Sequence, residues 1–153
     1  MEGARVIGIR GGCPFDGIID HFSSLGAETV LMEPMMVCGR DQVLSALMHA
    51  ERAFAEGTNR SKTLLTEIIL YASGERQISK AVAMMRPSGE GMVALILGGP
   101  DDLELERIGM CRDDTLADAS PEKAEAMGLD AQGMSVSLED LALERVALLD
   151  MTK

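Results

Sequence analysis

An uninterrupted apolar run near the middle of the chain, MVALILGG at residues 92–99, constrains the fold more than any other stretch. The run is far too short for a membrane span, and two glycines end it. Such a run is typical of a β-strand that is buried on both faces, because a strand with one solvated face alternates polar and apolar residues. We therefore expect it at the centre of a sheet whose two faces are both covered.

Two further strand candidates lie near the amino terminus and enclose one helix. They are ARVIGIR at residues 4–10 and AETVLM at residues 27–32, both rich in β-branched and aliphatic residues. Four apolar residues recur between them at helical spacing: Phe15, Ile18, Ile19 and Phe22. This order predicts a βαβ-like opening, although the spacing does not fix parallel pairing.

Three amphipathic patterns follow before the apolar run. The first covers residues 42–56, with Asp41 as the expected N-cap and Gly57 as the stop. The second stripe consists of Leu64, Leu65, Ile68, Ile69 and Ala72, and the third consists of Ile78, Ala81, Val82 and Met85. The sequence therefore predicts three consecutive helices between the second and third strands.

The patterns after residue 100 are weaker. A short helix is predicted to start at Ser120, and a last amphipathic helix is predicted to start at Ser137. With 153 residues, of which 46% are hydrophobic, the chain is long enough to bury one sizeable core. We predict an α/β fold in which residues 1–153 form a single domain, with a small mixed β-sheet packed with helices.

Cysteine usage and hydropathy indicate a cytoplasmic protein. Cys13, Cys38 and Cys111 are odd in number and widely spaced, which favours reduced thiols over a disulfide framework. The first residues lack the apolar run of a signal peptide, and no stretch approaches the roughly 20 apolar residues of a membrane span. We expect a cytoplasmic location and no contact with a membrane.

Basic residues cluster between Gly57 and Lys80, in a chain whose formal net charge is −11. That total argues against general charge-driven binding of nucleic acid, but it leaves room for a local basic site. The cluster is either a small anion-binding surface or the solvated faces of two core helices. Its position at a predicted helix start supports the first interpretation, because free backbone amides and the helix dipole favour an anion there. Arg76 and Lys80, four residues apart, are expected on one face of the next helix.

No pattern in the sequence indicates catalysis, a cofactor or a metal. GTNRSKT at residues 57–63 lacks the second glycine of a phosphate-binding loop and follows a helix rather than a strand. His21 and His49 are far apart and belong to no hydrolase signature. The pairs Asp101-Asp102 and Asp113-Asp114 lack the spacing of a calcium loop. We expect no catalytic residue, no cofactor and no metal, and therefore a protein that is not an enzyme.

Residues 57–82, GTNRSKTLLTEIILYASGERQISKAV, resemble the central block of the small regulatory subunit of the KEOPS complex, the family of the human kinase-binding subunit TPRKB. In that family an alanine-rich helix precedes a polar turn, a TL-x-x-E-I/L-L helix and an I-x-x-A helix. Archaeal members commonly carry N-R-S-K-T and S-G-x-R-Q-I in this form. The resemblance is strong over residues 28–98 and rests on the order of the elements elsewhere.

The family implies a noncatalytic subunit of a complex that installs the threonylcarbamoyl group on the adenosine next to the anticodon of tRNAs that decode ANN codons. Such a subunit binds and stimulates the kinase-like ATPase of the complex. Archaeal members also capture the 3′ CCA tail of tRNA. The expected partners are therefore the kinase-like ATPase subunit and the tRNA 3′ CCA tail.

The resemblance also suggests roles for individual residues. Arg60 and Lys62 would neutralise phosphates of the tail. Arg76 would contact a phosphate or stack on a base, and Tyr71, if partly exposed, would stack on a base. The full predicted tRNA-binding set is Asn59, Arg60, Lys62, Tyr71, Arg76, Gln77 and Lys80. The contact with the kinase is not assigned, and the helix-borne candidates for it are Met48, Met84 and Met85.

The sequence is also compatible with two alternatives. The first is a small-molecule-binding α/β domain that uses the glycine turns Gly11-Gly12 and Gly98-Gly99 to line a polar pocket. The second is a purely structural oligomerisation subunit. That alternative predicts unchanged function when the cations of the basic cluster are reversed to glutamate.

Overall fold

The apolar run forms the central strand of a four-stranded sheet. The computed structural model describes residues 3–129 and 137–152. The strands are β1 (Ala4–Gly11), β2 (Ala27–Met32), β3 (Gly91–Gly98) and β4 (Met110–Arg112). Their order in the sheet is β2-β3-β1-β4. β3 therefore lies between β2 and β1, inside the sheet, as its composition predicted.

The sheet differs from the predicted mixed pairing, because all the strand pairs in the described part of the chain are antiparallel. β3 lies between the two amino-terminal strands: Leu95 pairs with Val6 on one side and with Val30 on the other. β1 and β2 thus run in the same direction without being neighbours. The strand, helix, strand pattern left the pairing of β1 and β2 open, and it carried no information on the strand inserted between them.

The described residues form six α-helices around this sheet. The helices are α1 (Phe15–Ser24), α2 (Arg40–Glu56), α3 (Leu64–Ser73), α4 (Ile78–Met85), α5 (Pro121–Met127) and α6 (Leu138–Thr152). α2, α3 and α4 follow β2 and precede β3, which confirms the predicted order. The predicted α/β class is likewise confirmed.

Both faces of the sheet are covered by apolar side chains. On one face, Val6, Val30, Val93 and Leu95 share a core with residues of α2, α3, α4 and α6. On the other face, Ile7, Leu31, Ala94 and Ile96 pack with Ile18 and Phe22 of α1. β3 supplies side chains to both cores alternately, so its uninterrupted apolar run is explained by burial on two sides.

α2 is bounded by two glycines. It ends at Gly57, whose backbone adopts the left-handed conformation (φ +73°) and donates to carbonyls of the last turn. At the other end, Gly39 occupies the N-cap position, and Asp41 lies in the first turn. Asp41 therefore lies just inside the helix instead of capping it, where its negative charge still faces the positive end of the helix dipole.

The two carboxy-terminal helices begin at the predicted serines. Ser120 Oγ accepts a hydrogen bond from the amide of Lys123 at 3.2 Å, and Ser137 Oγ accepts one from the amide of Asp140 at 3.1 Å. Each hydroxyl satisfies an amide that has no partner within the helix. α6 itself packs against α2 and α3, and its last turn lies beside the basic cluster, since Arg76 Nη1 donates to the carbonyl of Thr152.

Residues 101–112 contain the element that the sequence analysis missed. β4 has only three residues, which pair with the end of β1 from Ile9 to Gly11. A strand of this length shows no measurable periodicity, so the pattern was ambiguous.

Within residues 3–129 and 137–152, each helix is too short or too polar to cross a lipid bilayer.

Candidate functional site

The polar loop before α3 is organised by a buried carboxylate, that of Glu67. Glu67 lies on α3 and has no exposed surface. Its Oε1 accepts hydrogen bonds from the amide of Ser61 at 2.9 Å, from Ser61 Oγ at 2.9 Å and from the amide of Arg60 at 3.0 Å. Burial of a charged group is tolerated when hydrogen bonds satisfy it in this way. The loop is therefore held from inside by α3, while the side chains of Arg60 and Lys62 are exposed.

This arrangement changes the expected means of binding an anion. The sequence predicted free backbone amides at the start of the helix, but the amides of Arg60 and Ser61 already donate to Glu67. The Nδ2 of Asn59 is also engaged, since it donates to the carbonyl of Ser61 at 2.8 Å. The amides of Arg60 and Ser61 are therefore not available to an anion, whereas the side chains of Arg60 and Lys62 are exposed.

Arg60 and Arg76 are brought together although 16 residues separate them. Arg60 Nη1 donates to the backbone carbonyl of Arg76 at 3.5 Å. Arg76 Nη1 donates to the carbonyl of Thr152 at 3.3 Å, which fixes it to the end of α6. The loop before α3, the turn after α3 and the last turn of α6 therefore meet at one place on the surface.

Arg76 and Lys80 do not share a helix face, which is a correction to the prediction. α4 begins at Ile78 with Gln77 as its N-cap residue, so Arg76 lies in the preceding turn. Lys62, Gln77 and Lys80 are exposed. Their side chains make no hydrogen bond or ion pair within the part of the chain that the structure describes. These three side chains are available to a partner.

Tyr71 is fully buried, so it does not meet the condition under which base stacking was predicted. Its hydroxyl donates a hydrogen bond to Asp150 Oδ1, and its ring stacks on that of His49 with centroids 5.4 Å apart. Burial, together with the hydrogen bond to Asp150, raises the pKa of Tyr71 well above its usual range. Tyr71 ties α3 to α6 and presents no ring face to a base.

Asp150, on the last turn of α6, joins three elements. Besides the bond from Tyr71, its Oδ2 lies 2.7 Å from His49 Nδ1 and 3.5 Å from Arg52 Nη2. Partial burial opposes ionisation, but the hydrogen bonds from Tyr71 and His49 outweigh it and hold the pKa of Asp150 below its usual range. Asp150 is therefore a carboxylate at neutral pH, and it positions Arg52 at the surface.

Arg52 belongs to this site, although the sequence analysis did not include it. A cleft of about 580 Å³ opens between the end of α2, the polar loop and the last turn of α6. Its lining consists of Arg52, Ala53, Glu56, Thr58, Arg60 and Asp150. Arg52 lies about one helical turn before the end of α2, and only the fold brings it to the same cleft as Arg60. In the sequence, the one sign that Arg52 belongs to the site is that it lies one turn before Glu56, at the end of α2.

A second feature, an exposed apolar face, lies on α4 directly after this site. The sequence predicted one stripe of four core residues, but only Ala81 and Met85 of that stripe are buried. Ile78 and Val82 are 41% and 39% exposed. They lie one turn apart, so they form one patch on the outer side of the helix. Of the methionines named as candidates for the kinase contact, Met48 is exposed, Met84 is half-buried and Met85 is part of the core.

A larger cleft, of about 650 Å³, lies on the other side of the sheet. It is lined by Ile7 and by residues 101–107 and 110–112. The glycine turns Gly11-Gly12 and Gly98-Gly99 do not contribute to it, contrary to the pocket that the small-molecule alternative required. No group of three or more potential metal ligands occurs among the residues that the structure describes.

Residues 18–151 match the sequence pattern of a family described as kinase binding protein CGI-121. The chain belongs to the CGI-121 family. The match begins in α1 and ends in the last turn of α6, so it includes the polar loop, the cleft and the exposed face of α4. It also extends well beyond residues 28–98, where the sequence resemblance was strongest. No curated protein sequence matches the chain.

Membership of the CGI-121 family identifies a class of partner, a kinase. Interface cores are depleted of charged residues and enriched in apolar ones. On α4, Ser79 and Ala83 lie beside Ile78 and Val82 on the solvent side. The pair Ile78 and Val82 is one exposed apolar face of the described structure, and the pair Leu148 and Met151 on α6, 46% and 82% exposed, is another.

Proposed function

We propose that this chain is the noncatalytic regulatory subunit of an archaeal-type KEOPS complex for tRNA threonylcarbamoyladenosine modification. In this role it binds and stimulates the kinase-like ATPase subunit and helps recruit tRNA through its 3′ CCA tail. The observation that carries the proposal is the exposed pair Ile78 and Val82, in a family of kinase-binding proteins, directly after a surface of exposed cations.

The kinase-like ATPase binds the outer face of α4. Complete burial of a large aliphatic side chain contributes about 1.5–3 kcal/mol, so covering the exposed two-fifths of Ile78 and of Val82 contributes about 1 kcal/mol each. The small side chains of Ser79 and Ala83 allow a partner helix or strand to approach closely. Lys80, at the edge of this face, would lie on the rim of the interface.

The single-stranded tail of tRNA binds the neighbouring cations. Arg60, Lys62 and Arg76 are exposed, and the first and last are fixed by hydrogen bonds to backbone carbonyls. A site with few cations suits a short single strand better than a duplex, which requires a longer basic surface. The affinity of this chain alone for tRNA is therefore modest and depends strongly on salt.

The two surfaces adjoin, because Arg76 and Gln77 immediately precede α4. A tail bound at Arg60 and Arg76 would lie next to a kinase bound at Ile78 and Val82. The subunit would thus bring substrate RNA close to the ATPase.

The test is co-elution with the kinase-like ATPase from the same genome in size-exclusion chromatography, with ATP hydrolysis measured with and without tRNA. A stoichiometric complex with stimulated hydrolysis is expected. The double variant Ile78→Glu/Val82→Glu should lose the complex, because two carboxylates would have to be buried without partners. Leu148→Glu on α6, which changes a residue that is 46% exposed, serves as the matched control and should retain it.

Two outcomes contradict this proposal in different ways. If the unaltered protein forms no complex at micromolar concentrations, the regulatory role is wrong. If the double variant binds as tightly as the unaltered protein, the kinase contacts another surface.

A further inference from the structure

The two edges of the sheet differ in how their backbone groups are satisfied. The edge formed by β4 is only three residues long, and beyond it the chain itself covers β1. Gly8 of β1 donates its amide to Asp114 Oδ1 at 3.1 Å, and its carbonyl accepts from the amide of Asp113 at 2.8 Å. Short strands and charged side chains are the usual protection of a sheet edge against pairing with another strand. The β4 edge is therefore closed.

The opposite edge, formed by β2, is open. Gly98 of β3 donates its amide to the carbonyl of Gly3, on the β1 side. Hydrogen-bonding groups alternate between the two sides of a strand, so those of Leu97 point to β2, where Leu97 pairs with Glu28. The backbone groups that point outward from β2 are those of the residues that alternate with Glu28, namely Ala27, Thr29 and Leu31. Within residues 3–129 and 137–152, these groups have no hydrogen-bond partner.

Thr29, at the centre of this edge, carries a further group without a partner. The residue is only 8% exposed, and its Oγ1 is a buried atom with no hydrogen bond among the described residues. A buried hydroxyl without a partner is unfavourable, and a valine of the same shape would avoid that cost in a half-buried strand. The hydroxyl therefore indicates that a group able to form a hydrogen bond comes to the edge at Thr29.

We infer that the outer edge of β2 pairs with the same edge of a second copy of this chain, antiparallel and about a two-fold axis at Thr29. In this register Thr29 lies opposite Thr29 of the second copy, and Ala27 lies opposite Leu31. Each outward amide of one copy meets an outward carbonyl of the other. The two threonine hydroxyls face each other across the axis, where paired threonines form hydrogen bonds. The two sheets become one continuous sheet.

The edge is complementary to itself, which favours a second copy over an unrelated strand. The outward residues are placed symmetrically around Thr29, as a two-fold interface requires. Glu28, the one charged residue of β2, lies opposite Val30 of the second copy and not opposite its own counterpart. The two Glu28 residues are diagonal neighbours, roughly 7–8 Å apart, so their repulsion is weak. This inference does not depend on the proposed function, because it uses none of the residues assigned to the kinase or to RNA.

The test combines sedimentation equilibrium with amide hydrogen exchange, both on the full chain over a range of concentrations. The average mass should rise from that of the monomer to that of the dimer. The amides of Ala27, Thr29 and Leu31 should exchange roughly tenfold more slowly when the dimer predominates. The amide of Glu33 donates to the carbonyl of Met85 within one copy at 2.8 Å, so its exchange should not depend on concentration.

Thr29→Val distinguishes pairing between copies from a role within one copy. In the monomer this change removes a buried hydroxyl without a partner, so the denaturant midpoint of the dilute protein should rise. In the dimer it removes the hydrogen bond across the axis, so the dissociation constant should increase about threefold to tenfold. Opposite effects on folding and on association are expected only if the hydroxyl is satisfied by the second copy.

Glu28→Gln tests the register. Loss of the diagonal repulsion should tighten the dimer about twofold at low salt, and the gain should disappear at high salt. Glu122→Gln on α5 removes an exposed negative charge elsewhere and corrects for the general effect of net charge.

Three results would overturn the inference. A monomer at every concentration excludes the second copy, and the edge would then suit an extended segment of another protein. A dimer in which the amides of Ala27, Thr29 and Leu31 exchange as fast as in the monomer uses another surface. An unchanged or tighter dimer in Thr29→Val shows that the hydroxyls do not pair. None of these results affects the proposed function, whose variants lie on the polar loop and α4.

Discussion

The carboxylate of Glu67 on α3 accepts a hydrogen bond from the backbone amide of Ser61, six residues earlier, at 2.9 Å and without any contact with solvent. This buried acid fixes the loop whose exposed side chains are basic. Glu67 is acidic, whereas the surface that it supports is basic. As a negative charge it disfavours RNA binding, but by holding the loop in place it favours RNA binding.

Glu67→Ala should therefore weaken RNA binding, even though it removes a negative charge. The change leaves the amides of Arg60 and Ser61 without their acceptor, at a cost of about 1–3 kcal/mol for each unsatisfied group. We expect a fall of several kcal/mol in the free energy of unfolding, measured by urea denaturation, and a disordered loop. Glu67→Gln keeps one acceptor oxygen and should lose less. Tighter RNA binding by a stably folded Glu67→Gln protein would contradict a role in positioning the loop.

Tyr71→Phe separates a structural role from a stacking role. Loss of the hydroxyl removes the hydrogen bond to Asp150, which should lower the free energy of unfolding by about 1–2 kcal/mol. Since the ring is buried, RNA affinity should change by less than about twofold at temperatures where the variant is folded. A loss of affinity near tenfold, with the folded state confirmed by circular dichroism, would show that Tyr71 does reach the RNA.

Acidic pH should destabilise the protein in part through Asp150. The folded pKa of Asp150 lies below about 3.8, the ordinary value for an aspartate, so this group binds fewer protons in the folded than in the unfolded state. Its contribution to stability is complete above that value and is lost as the pH falls through the folded pKa. Denaturant midpoints measured between neutral pH and pH 3 should fall for the unaltered protein, and Asp150→Asn should flatten part of that slope. Parallel slopes for the two proteins would rule out this contribution.

Reversal of Arg60, Lys62 and Arg76 to glutamate tests the RNA surface as a whole. We expect tRNA affinity to fall by more than tenfold while the complex with the kinase-like ATPase persists, because the face of α4 is unchanged. For Lys62→Glu alone, the slope of log affinity against log salt should become shallower by about 0.7, the value for one phosphate contact on a single strand. Arg107→Glu, an exposed charge reversal on the other side of the sheet, is the control. Full tRNA affinity in the triple variant would favour the alternative of a structural oligomerisation subunit.

The role of the terminal CCA can be tested by changing the tRNA instead of the protein. A tRNA that lacks these nucleotides should bind markedly more weakly than the intact molecule in a filter-binding assay. Equal binding of the two would locate the tRNA contact on another surface.

The elements with strong local signals were predictable from the sequence. The apolar run of β3, the left-handed glycine that ends α2 and the serine caps of α5 and α6 each depend on a few neighbouring residues. The three-helix connection between β2 and β3 followed from periodicity alone. β4 was not predictable, because three residues that pair with the end of β1 have no pattern of their own.

The candidate site was only partly predictable, because exposure depends on the tertiary arrangement. Periodicity placed Ile78 and Val82 on one side of α4, but it could not show that this side faces solvent while Ala81 faces the core. Likewise, the sequence could not show that Tyr71 is covered by α6. Arg52 was missed because its proximity to Arg60 exists only after α2 and the polar loop have folded.

The position of β3 has a consequence for how the chain reaches this structure. β1 and β2 are synthesised early, but neither has a long strand to pair with until residues 91–98 arrive, since Ala4 pairs with Leu97. Contacts so distant in sequence slow folding, because the intervening chain must be ordered before they form. Both proposed binding surfaces lie inside that intervening chain. A fragment that stops before Gly91 should therefore fail to assemble them, and the nascent protein should acquire its function only after the last long strand has closed the sheet and α6 has packed against α2 and α3.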